Sequence, residues 1–333
     1  MEGKPGHKPR LTDVDSAKGL AIFLVVLGHL TGGTFPKNAE WYIALNHAIY
    51  RFHMPFFMFL SGLLVFYTYQ PIDSLGEYGR YVSRRIRRFA PSYLLFGSLM
   101  LIGKVVGQWG HLVVDHPPDD LWMGFYEIIV HPYHSHAATL WYVYTLCEFC
   151  VLLPIVLWLC RNRLEPVLVA GLAARFIPVT YWFGLEKICE YAFVFFAGAY
   201  VATRYEAWTA LVDRYLYVTI AVFLMALGLS KLWPQLGFVV GLLSLPALHG
   251  LCRRPAFRGS WWLQLFGKYT LAIYLMNTLA AGLVRGVILK FTSLNGARFV
   301  FIAPVLLTAG LAIPLLLKIH VFPKIPWLDR ITD

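Results

Sequence analysis

Long apolar runs alternate with short polar segments along the whole chain. A helix rises about 1.5 Å per residue, so roughly 20 apolar residues cross the hydrocarbon core of a bilayer, which is about 30 Å thick. The pattern predicts an all-α fold, a polytopic membrane helix bundle. Ten predicted spans lie near residues 17–35, 52–70, 91–107, 139–160, 165–182, 188–204, 215–231, 235–251, 267–289 and 299–318.

The first apolar run follows a basic tail and has no small-residue cleavage motif, so we expect a retained helix and not a removed signal peptide. No internal repeat is evident. The predicted organisation is a tail over residues 1–16, a transmembrane domain over 17–320 and a second tail over 321–333.

Basic residues indicate the orientation of this bundle. Of the 29 Lys and Arg, 18 fall on one predicted side of the membrane, five fall on the other, and six lie in or beside spans. Because Lys and Arg concentrate in cytoplasmic loops, this asymmetry predicts that both termini are cytoplasmic.

Composition narrows the protein class further. The chain has 333 residues, of which 58% are hydrophobic and 14% are charged. Ordinary soluble domains are about 45–50% apolar and about 25% charged. The excess excludes a soluble enzyme, a disordered protein and a nucleic-acid binder, and the net charge of +11 is explained by orienting clusters between spans.

The first predicted span carries two ionisable side chains, Lys18 and His29, eleven residues apart. Eleven steps of about 100° end roughly 20° beyond three full turns, so both project from one face, about 16 Å apart along the axis. Ionisable groups inside a membrane are costly and are therefore functional candidates. The alternative is that Lys18 anchors the helix at the interface and His29 is a satisfied polar group of the bundle.

The second span opens with Arg51 and His53 at its predicted external mouth and continues to Ser61 and Gly62. His53 is a candidate catalytic residue, whereas Arg51 and Ser61 are candidates for substrate binding. Ser61 and Gly62 are also residues that let helices approach closely, so packing alone would account for them.

A third stretch concentrates positive charge on the predicted cytoplasmic side. Arg84, Arg85, Arg87 and Arg88 provide four guanidinium groups within five residues, ahead of Pro91. Arginine binds phosphate oxygens in a bidentate manner, so the cluster predicts a site for a phosphorylated ligand. Anionic lipid headgroups are the alternative ligand.

The fourth span begins with Leu140-Trp141-Tyr142 and carries Glu148 further along. Trp141 and Tyr142 are candidates for substrate binding, although aromatic residues also form belts at membrane interfaces. Glu148 is a candidate catalytic residue, because a carboxyl group at membrane depth is neutral or paired with a cation.

The predicted external loop over residues 108–138 contains no Lys or Arg. It carries the five histidines His111, His116, His131, His134 and His136. Its acidic residues are Asp115, Asp119, Asp120 and Glu127. Imidazole is a common zinc ligand, but Pro132 interrupts the last three histidines and no regular element fixes their spacing. We predict no metal site.

These motifs, taken in order, resemble the acyltransferase 3 family of membrane acyltransferases, and most closely its sugar O-acetylase branch. The matching stretches are Lys18 to His29, Phe52 to Gly62, Arg84 to Pro91, Leu140 to Tyr142 and the run from Gly267 to Asn277. Many members have Arg at the position of Lys18 and His at the position of Asn277. The second departure removes Asn277 from any role in proton transfer.

The resemblance implies transfer of an acyl group, usually acetyl, from cytoplasmic acyl-CoA to a hydroxyl of a cell-surface or lipid-linked glycan. The arginine cluster and Lys18 would hold the CoA phosphates, and Asp15 would position Lys18. His29 would act as general base or transient acyl carrier, and His53 or Glu148 would orient His29 or the acceptor.

No metal and no nucleic acid are implied by the resemblance. Membrane lipid is an expected partner, and proteins of polysaccharide biosynthesis are further candidate partners. The expected location is the bacterial inner membrane. Two alternatives from other classes are a glycolipid or polysaccharide transporter and a non-catalytic subunit of a polysaccharide assembly complex. Transporters often show repeated halves or broken helices, which the sequence does not reveal.

Overall fold

A computed structural model describes residues 9–33, 35–110, 118 and 120–333. About 80% of the chain is helical, and the described residues contain no β-strand, only an isolated bridge between Lys37 and Asn295. The predicted all-α class is confirmed.

Sixteen α-helices follow one another along the described residues. They are α1 (Thr12–Gly28), α2 (Glu40–Tyr50), α3 (His53–Tyr67), α4 (Leu75–Trp109), α5 (Leu121–Val130), α6 (Trp141–Leu159), α7 (Glu165–Ala174), α8 (Leu185–Thr203), α9 (Tyr205–Arg214), α10 (Leu216–Leu229), α11 (Gly237–Arg253), α12 (Pro255–Arg258), α13 (Trp261–Lys268), α14 (Thr270–Leu289), α15 (Gly296–Leu316) and α16 (Pro326–Ile331). Short 3₁₀ turns lie at Ala138–Leu140, Trp182–Gly184, Pro234–Leu236 and Phe322–Lys324, and a π-helical turn at Leu317–Val321.

Six helical segments of the described chain are long and apolar enough to cross a membrane. They are Glu40–Tyr67, Leu75–Trp109, Ala138–Leu159, Pro234–Arg253, Thr270–Leu289 and Gly296–Lys324. A seventh is added if α9 and α10, which meet at a 76° bend, form one span. The protein is therefore an integral membrane protein, but the prediction of ten spans is not confirmed.

For two of the predicted spans, the predicted residue range differs most from the range of the observed helix. The predicted span 165–182 contains only the ten-residue α7, which is about 15 Å long, because the chain leaves the helix ahead of Pro178. The predicted span 17–35 corresponds to α1, which begins at Thr12 and ends at Gly28. The chain then turns through Gly32 and Gly33, both with positive φ.

Helix ends gather into two opposite faces of the bundle. The starts of α1 and α4 and the ends of α3, α8 and α11 share one face, which we call the arginine end. The Tyr205 hydroxyl, at the start of α9, donates to Asp13 Oδ2 at 2.7 Å, and its ring lies 6.4 Å from that of Tyr67. The end of α1 and the starts of α6 and α8 lie at the opposite face.

Small residues bring helix backbones together in the core. A Cβ at Gly62 of α3 would overlap the carbonyl oxygen of Phe195 in α8, and a Cβ at Gly198 would overlap that of Phe59. Gly19 of α1 meets the backbone of Leu263 in α13 in the same way. Close backbone contact of this kind is how helices associate in membranes, where no hydrophobic force drives them together.

A buried polar network fixes the start of α1. Asp13 Oδ2 accepts hydrogen bonds from Arg253 at 2.5 Å and from Tyr205 at 2.7 Å. Arg253 also forms two hydrogen bonds with the carboxylate of Asp213. His249 Nε2 lies 3.6 Å from Asp13, while its Nδ1 accepts from the indole of Trp208. This network joins α1 to α9 and α11.

Candidate active site

His29 lies directly after the last residue of α1. Its backbone N–H bonds to the carbonyl oxygens of Val25 and Val26, so the imidazole projects from the final turn of the helix. Its Nδ1 lies 3.0 Å from the Val25 carbonyl oxygen. Because a carbonyl only accepts, Nδ1 carries the proton and donates, which leaves a lone pair on Nε2. The ring is thus held as the tautomer in which Nε2 acts as a base.

Side chains of α2 support this end of α1. Asn46 Nδ2 donates to the carbonyl oxygen of Gly28 at 2.7 Å, and the Tyr42 hydroxyl donates to that of Leu27 at 3.0 Å. Arg285 donates to the carbonyl oxygen of Thr31. These donors satisfy carbonyl groups that a helix end leaves unpaired. The negative end of the helix dipole also favours a positive charge on His29.

Tyr50 lies between the two candidate catalytic histidines. Its ring stacks on His29 with centroids 5.8 Å apart and planes at 16°, and it meets His53 edge-on at 4.9 Å. The Tyr50 hydroxyl is 3.5 Å from His29 Nδ1. The structure therefore brings His29 and His53 together around one tyrosine ring.

His53 repeats the hydrogen-bonding pattern of His29. It is buried, and its Nδ1 donates to the carbonyl oxygen of Ile49 at 2.8 Å. Its Nε2 has no hydrogen-bond partner among the described residues. Two imidazoles with free Nε2 lone pairs are suited to moving a proton and to orienting a hydroxyl group.

Ser61 and Tyr142 meet two turns further along α3. The Ser61 hydroxyl donates to the Phe57 carbonyl oxygen at 2.9 Å and also contacts the hydroxyl of Tyr142. Tyr142 stacks on Phe57 and lies 5.1 Å from Tyr274, whose hydroxyl donates to the Thr139 carbonyl oxygen. This hydroxyl cluster joins α3, α6 and α14.

The arginine cluster forms a cavity at the arginine end of the bundle. The cavity has a volume of about 480 Å³ and is lined by Thr68, Gln70, Pro71, Ile72, Glu77, Arg80, Tyr81, Arg84, Arg85 and Arg88. We call it the arginine cavity. The Arg85 guanidinium lies over the Tyr81 ring, and Arg88 lies over Phe89. Arg87, the remaining member of the predicted set, does not line the cavity.

Lys18 and Asp15 lie close to the arginine cluster. Lys18 Nζ is 3.6 Å from Asp15 Oδ1 and lies within electrostatic range of Arg88. Asp15 also accepts a hydrogen bond from Arg10 at 2.5 Å. Asp15 is thus paired with Lys18, and α1 links this basic region to His29.

Three predicted residues lie apart from the histidine pair. Glu148 contacts the region of Gly184, Pro132 and Tyr144, and its Oε2 has no hydrogen-bond partner among the described residues. Arg51 donates to the carbonyl oxygen of Ser230, the residue that follows α10.

Trp141 packs against α8. Its ring lies 5.1 Å from that of Tyr191, and the ammonium of Lys187 lies 5.5 Å from its centroid. Trp141 therefore faces α8, whereas its neighbour Tyr142 faces Ser61.

Sequence reasoning missed Tyr50 and Asn46 as site residues. Tyr50 precedes His53 by three residues, which is about one helical turn, and this spacing was the signal available for it. Asn46 lies one helical turn before Tyr50 in α2. The sequence gives no sign that Asn46 reaches the end of α1, because it does not state which helices are neighbours.

His111, His116, Asp115 and Asp119 of the predicted loop lie outside the described residues. Within the described part of the chain, no three His, Cys, Asp or Glu side chains come together as metal ligands would. His136 Nδ1 is 3.2 Å from Glu127, and His134 Nε2 is 3.4 Å from Glu186.

A family model described as an acyltransferase domain matches residues 11–318. The chain belongs to the acyltransferase 3 family. This match confirms the predicted resemblance and makes the protein a membrane acyltransferase. The chain is also 48% identical over 61 residues to a nodulation protein, NolL, of Sinorhizobium fredii (strain NBRC 101917 / NGR234). That match covers 18% of the chain and 17% of the length of NolL. No solved structure is significantly similar to the chain.

Proposed function

We propose that this acyltransferase moves an acyl group, in the simplest case acetyl, from acyl-CoA to a hydroxyl of a cell-surface or lipid-linked glycan. The observation that carries the proposal is the arrangement at the two ends of α1. Lys18, near its start, lies within electrostatic range of Arg88, which lines the arginine cavity, and His29, at its end, uses Nδ1 for the Val25 carbonyl oxygen and so leaves Nε2 as the base. One helix thus connects a basic region with an imidazole.

The donor would lie with its phosphates in the arginine cavity, where Arg84, Arg85 and Arg88 supply charge-assisted hydrogen bonds. Its pantetheine arm would run along α1 past Lys18 and bring the thioester towards His29. Eleven residues of helix span about 16 Å, a distance that an extended pantetheine arm covers.

The reaction would begin with His29 Nε2 removing the proton of the acceptor hydroxyl. The hydroxyl oxygen attacks the thioester carbonyl, the carbon–sulfur bond breaks, and the imidazolium returns the proton to the departing CoA thiolate. In the other route, His29 Nε2 attacks the thioester carbonyl first, the carbon–sulfur bond breaks and CoA leaves as a thiolate. The acceptor hydroxyl then takes the acyl group from Nε2, which frees the imidazole, and the hydroxyl proton goes to the thiolate. His53 would orient the acceptor in both routes, because its Nε2 is also unpaired.

The natural setting of this reaction would be the bacterial inner membrane, with the arginine end in the cytoplasm. Membrane lipid and the polysaccharide biosynthesis machinery are the proposed partners. The glycan acceptor accounts for the second, opposite face of the bundle, where the histidine pair is close to the exposed Tyr50 ring.

The test is a strain that lacks the gene, complemented with wild type, His29→Gln or His47→Gln. We expect His29→Gln to abolish the glycan O-acyl ester, measured by NMR of purified glycan, while the glycan chain persists. His47 is the matched control, because it is an exposed imidazole on α2 whose ring contacts Phe35. Loss of the whole glycan would indicate a transporter, and a normal ester level in His29→Gln would refute the mechanism.

A further inference from the structure

A continuous series of aromatic rings runs over the face opposite the arginine end and into the bundle. Its members are Trp182, His131, Tyr181, His134, Tyr133 and Trp141, which we call the aromatic ladder. Successive ring centroids are 5.6, 4.9, 5.1, 5.3 and 6.1 Å apart.

Four of the six rings in the ladder are exposed: Trp182, Tyr181, His134 and Tyr133. Trp182 and Tyr181 are each 47% exposed and Tyr133 is 39% exposed, whereas Trp141 is 8% exposed. The rings meet edge to face, at angles between 63° and 88°, so the exposed rings keep open area that is not covered by stacking. The ladder is therefore a largely open aromatic surface with a buried end at Trp141.

The ladder lies on the same face of the bundle as the end of α1, because Tyr133 and Trp141 contact Lys187 in the first turn of α8. The Tyr133 hydroxyl lies within electrostatic range of that of Tyr50, whose ring stacks on His29. A chain-like ligand on the ladder would thus lie on the face of the bundle that carries the histidine pair.

Polar groups lie beside the rings of the ladder. The partly exposed carboxylate of Glu186 lies 3.4 Å from His134 Nε2. Lys187 Nζ lies 3.7 Å from the Tyr133 centroid and 2.8 Å from Glu190 Oε2. Flat rings with adjacent hydrogen-bonding groups match a sugar, whose C–H faces are apolar and whose rim carries hydroxyls.

Charge along the ladder excludes strongly anionic ligands. Among the residues that the structure describes, Glu190 pairs with the ammonium group of Lys187, whereas Glu186 and Glu127 lie beside His134 and His136. An acidic glycan would meet like charges there. From these observations we propose that the aromatic ladder binds a neutral oligosaccharide segment of several sugar units and delivers one unit to His29. This inference rests on the proposed function, which supplies the glycan acceptor.

The six rings of the ladder, with successive centroids 4.9 to 6.1 Å apart, extend further than one sugar ring, so the ladder predicts a preference for long acceptors. The test uses the surface glycan of the producing strain, de-esterified by mild base and separated into single repeating units and longer fragments. Purified wild type and the variants Tyr181→Ala, Tyr181→Phe and Trp122→Ala are compared with acetyl-CoA as donor.

We expect Tyr181→Ala to raise KM for the long fragments about 10-fold, with little change for the single unit or for acetyl-CoA. Tyr181→Phe keeps the ring and should behave as wild type. Trp122 is the matched control, because it is 82% exposed on α5 but belongs to no ring contact within the described residues. Unchanged acetyl-CoA kinetics show that each variant is folded.

Equal effects on short and long acceptors, or no effect of Tyr181→Ala, would overturn the ladder while the acyl transfer itself still stands. An acceptor glycan that contains uronic acid or phosphate would also overturn it. If the wild type adds no ester to any fragment, the proposed function fails instead.

Discussion

The position of His29 explains its chemistry better than its residue type does. His29 directly follows Gly28, the last residue of α1, and its ring turns back onto the Val25 carbonyl oxygen. That single hydrogen bond selects the tautomer and leaves Nε2 free. The stacked Tyr50 ring then limits rotation of the imidazole, so Tyr50 is a positioning residue for His29.

Replacement of Tyr50 separates the stacking contact from the hydroxyl contact. Tyr50→Phe keeps the stacked ring and loses only the 3.5 Å contact to His29 Nδ1, so we expect kcat to stay within about threefold of wild type. Tyr50→Leu removes the stack, and we expect kcat to fall about 10-fold, which corresponds to about 1.4 kcal/mol in the barrier. KM for acetyl-CoA should be unchanged in both variants, because the arginine cavity is distant. An equal loss in Phe and Leu variants would instead assign the effect to the hydroxyl.

Close helix packing is the feature on which the bundle depends at the scale of elements. Gly62 and Gly198 place the backbones of α3 and α8 in direct contact, and α3 carries His53 and Ser61. A side chain at this contact would push the two helices apart. It would also shift His53 and Tyr50 relative to His29, since both belong to the helical run of α2 and α3, whereas His29 follows α1.

We therefore expect Gly62→Ala to destabilise the protein by about 1–3 kcal/mol or more, the usual cost of overpacking. Thermal unfolding in detergent, followed by size-exclusion chromatography, measures this loss. Gly103→Ala in α4 is the control, because a Cβ there meets nothing within 4 Å, and alanine favours the helix. Similar melting temperatures for Gly62→Ala and wild type would contradict the packing argument.

The comparison of sequence with structure is clearest in individual helices. The apolar runs correctly predicted α4, α6, α11, α14 and α15 as spans. The start of the second span was placed at residue 52, although the helical run begins at Glu40, because Asn46 and His47 make α2 polar enough to hide its continuity. For the candidate site, the sequence predicts His29 and His53 because ionisable residues in apolar runs are conspicuous. It does not predict Tyr50, because aromatic residues are common throughout such a chain.

At the scale of the whole molecule, the two opposite faces of the protein carry chemically different side chains. Guanidinium groups surround the arginine cavity at one end, whereas aromatic rings and carboxylates dominate the ladder at the other. The apolar bundle between them contains the histidine pair. Such an arrangement suits a reaction whose two substrates approach from opposite sides.

Substitutions in the arginine cavity test whether it binds the donor, and Arg87 provides a matched control. Arg85→Gln combined with Arg88→Gln should raise KM for acetyl-CoA about 10-fold, and added salt should raise it in wild type as well. Arg87→Gln should have little effect, because Arg87 does not line the cavity. Acetyl-pantetheine lacks the nucleotide phosphates, so its KM should not respond to the double substitution. If both donors respond equally, the arginines act on the fold and not on the phosphates.

Sealed vesicles test the arrangement of the two faces directly. Acetyl-CoA does not cross a bilayer, so it reaches the arginine cavity only from the side on which the arginine end lies. The excess of Lys and Arg predicts that this side is cytoplasmic. Inverted vesicles, which expose their cytoplasmic face, should therefore transfer label from external acetyl-CoA to glycan, whereas right-side-out vesicles should do so only after permeabilisation. His29→Gln vesicles of both orientations provide the background. Activity in intact right-side-out vesicles would mean that donor and acceptor approach from the same face. It would contradict the assignment of the donor to the arginine cavity and of the acceptor to the ladder on the opposite face.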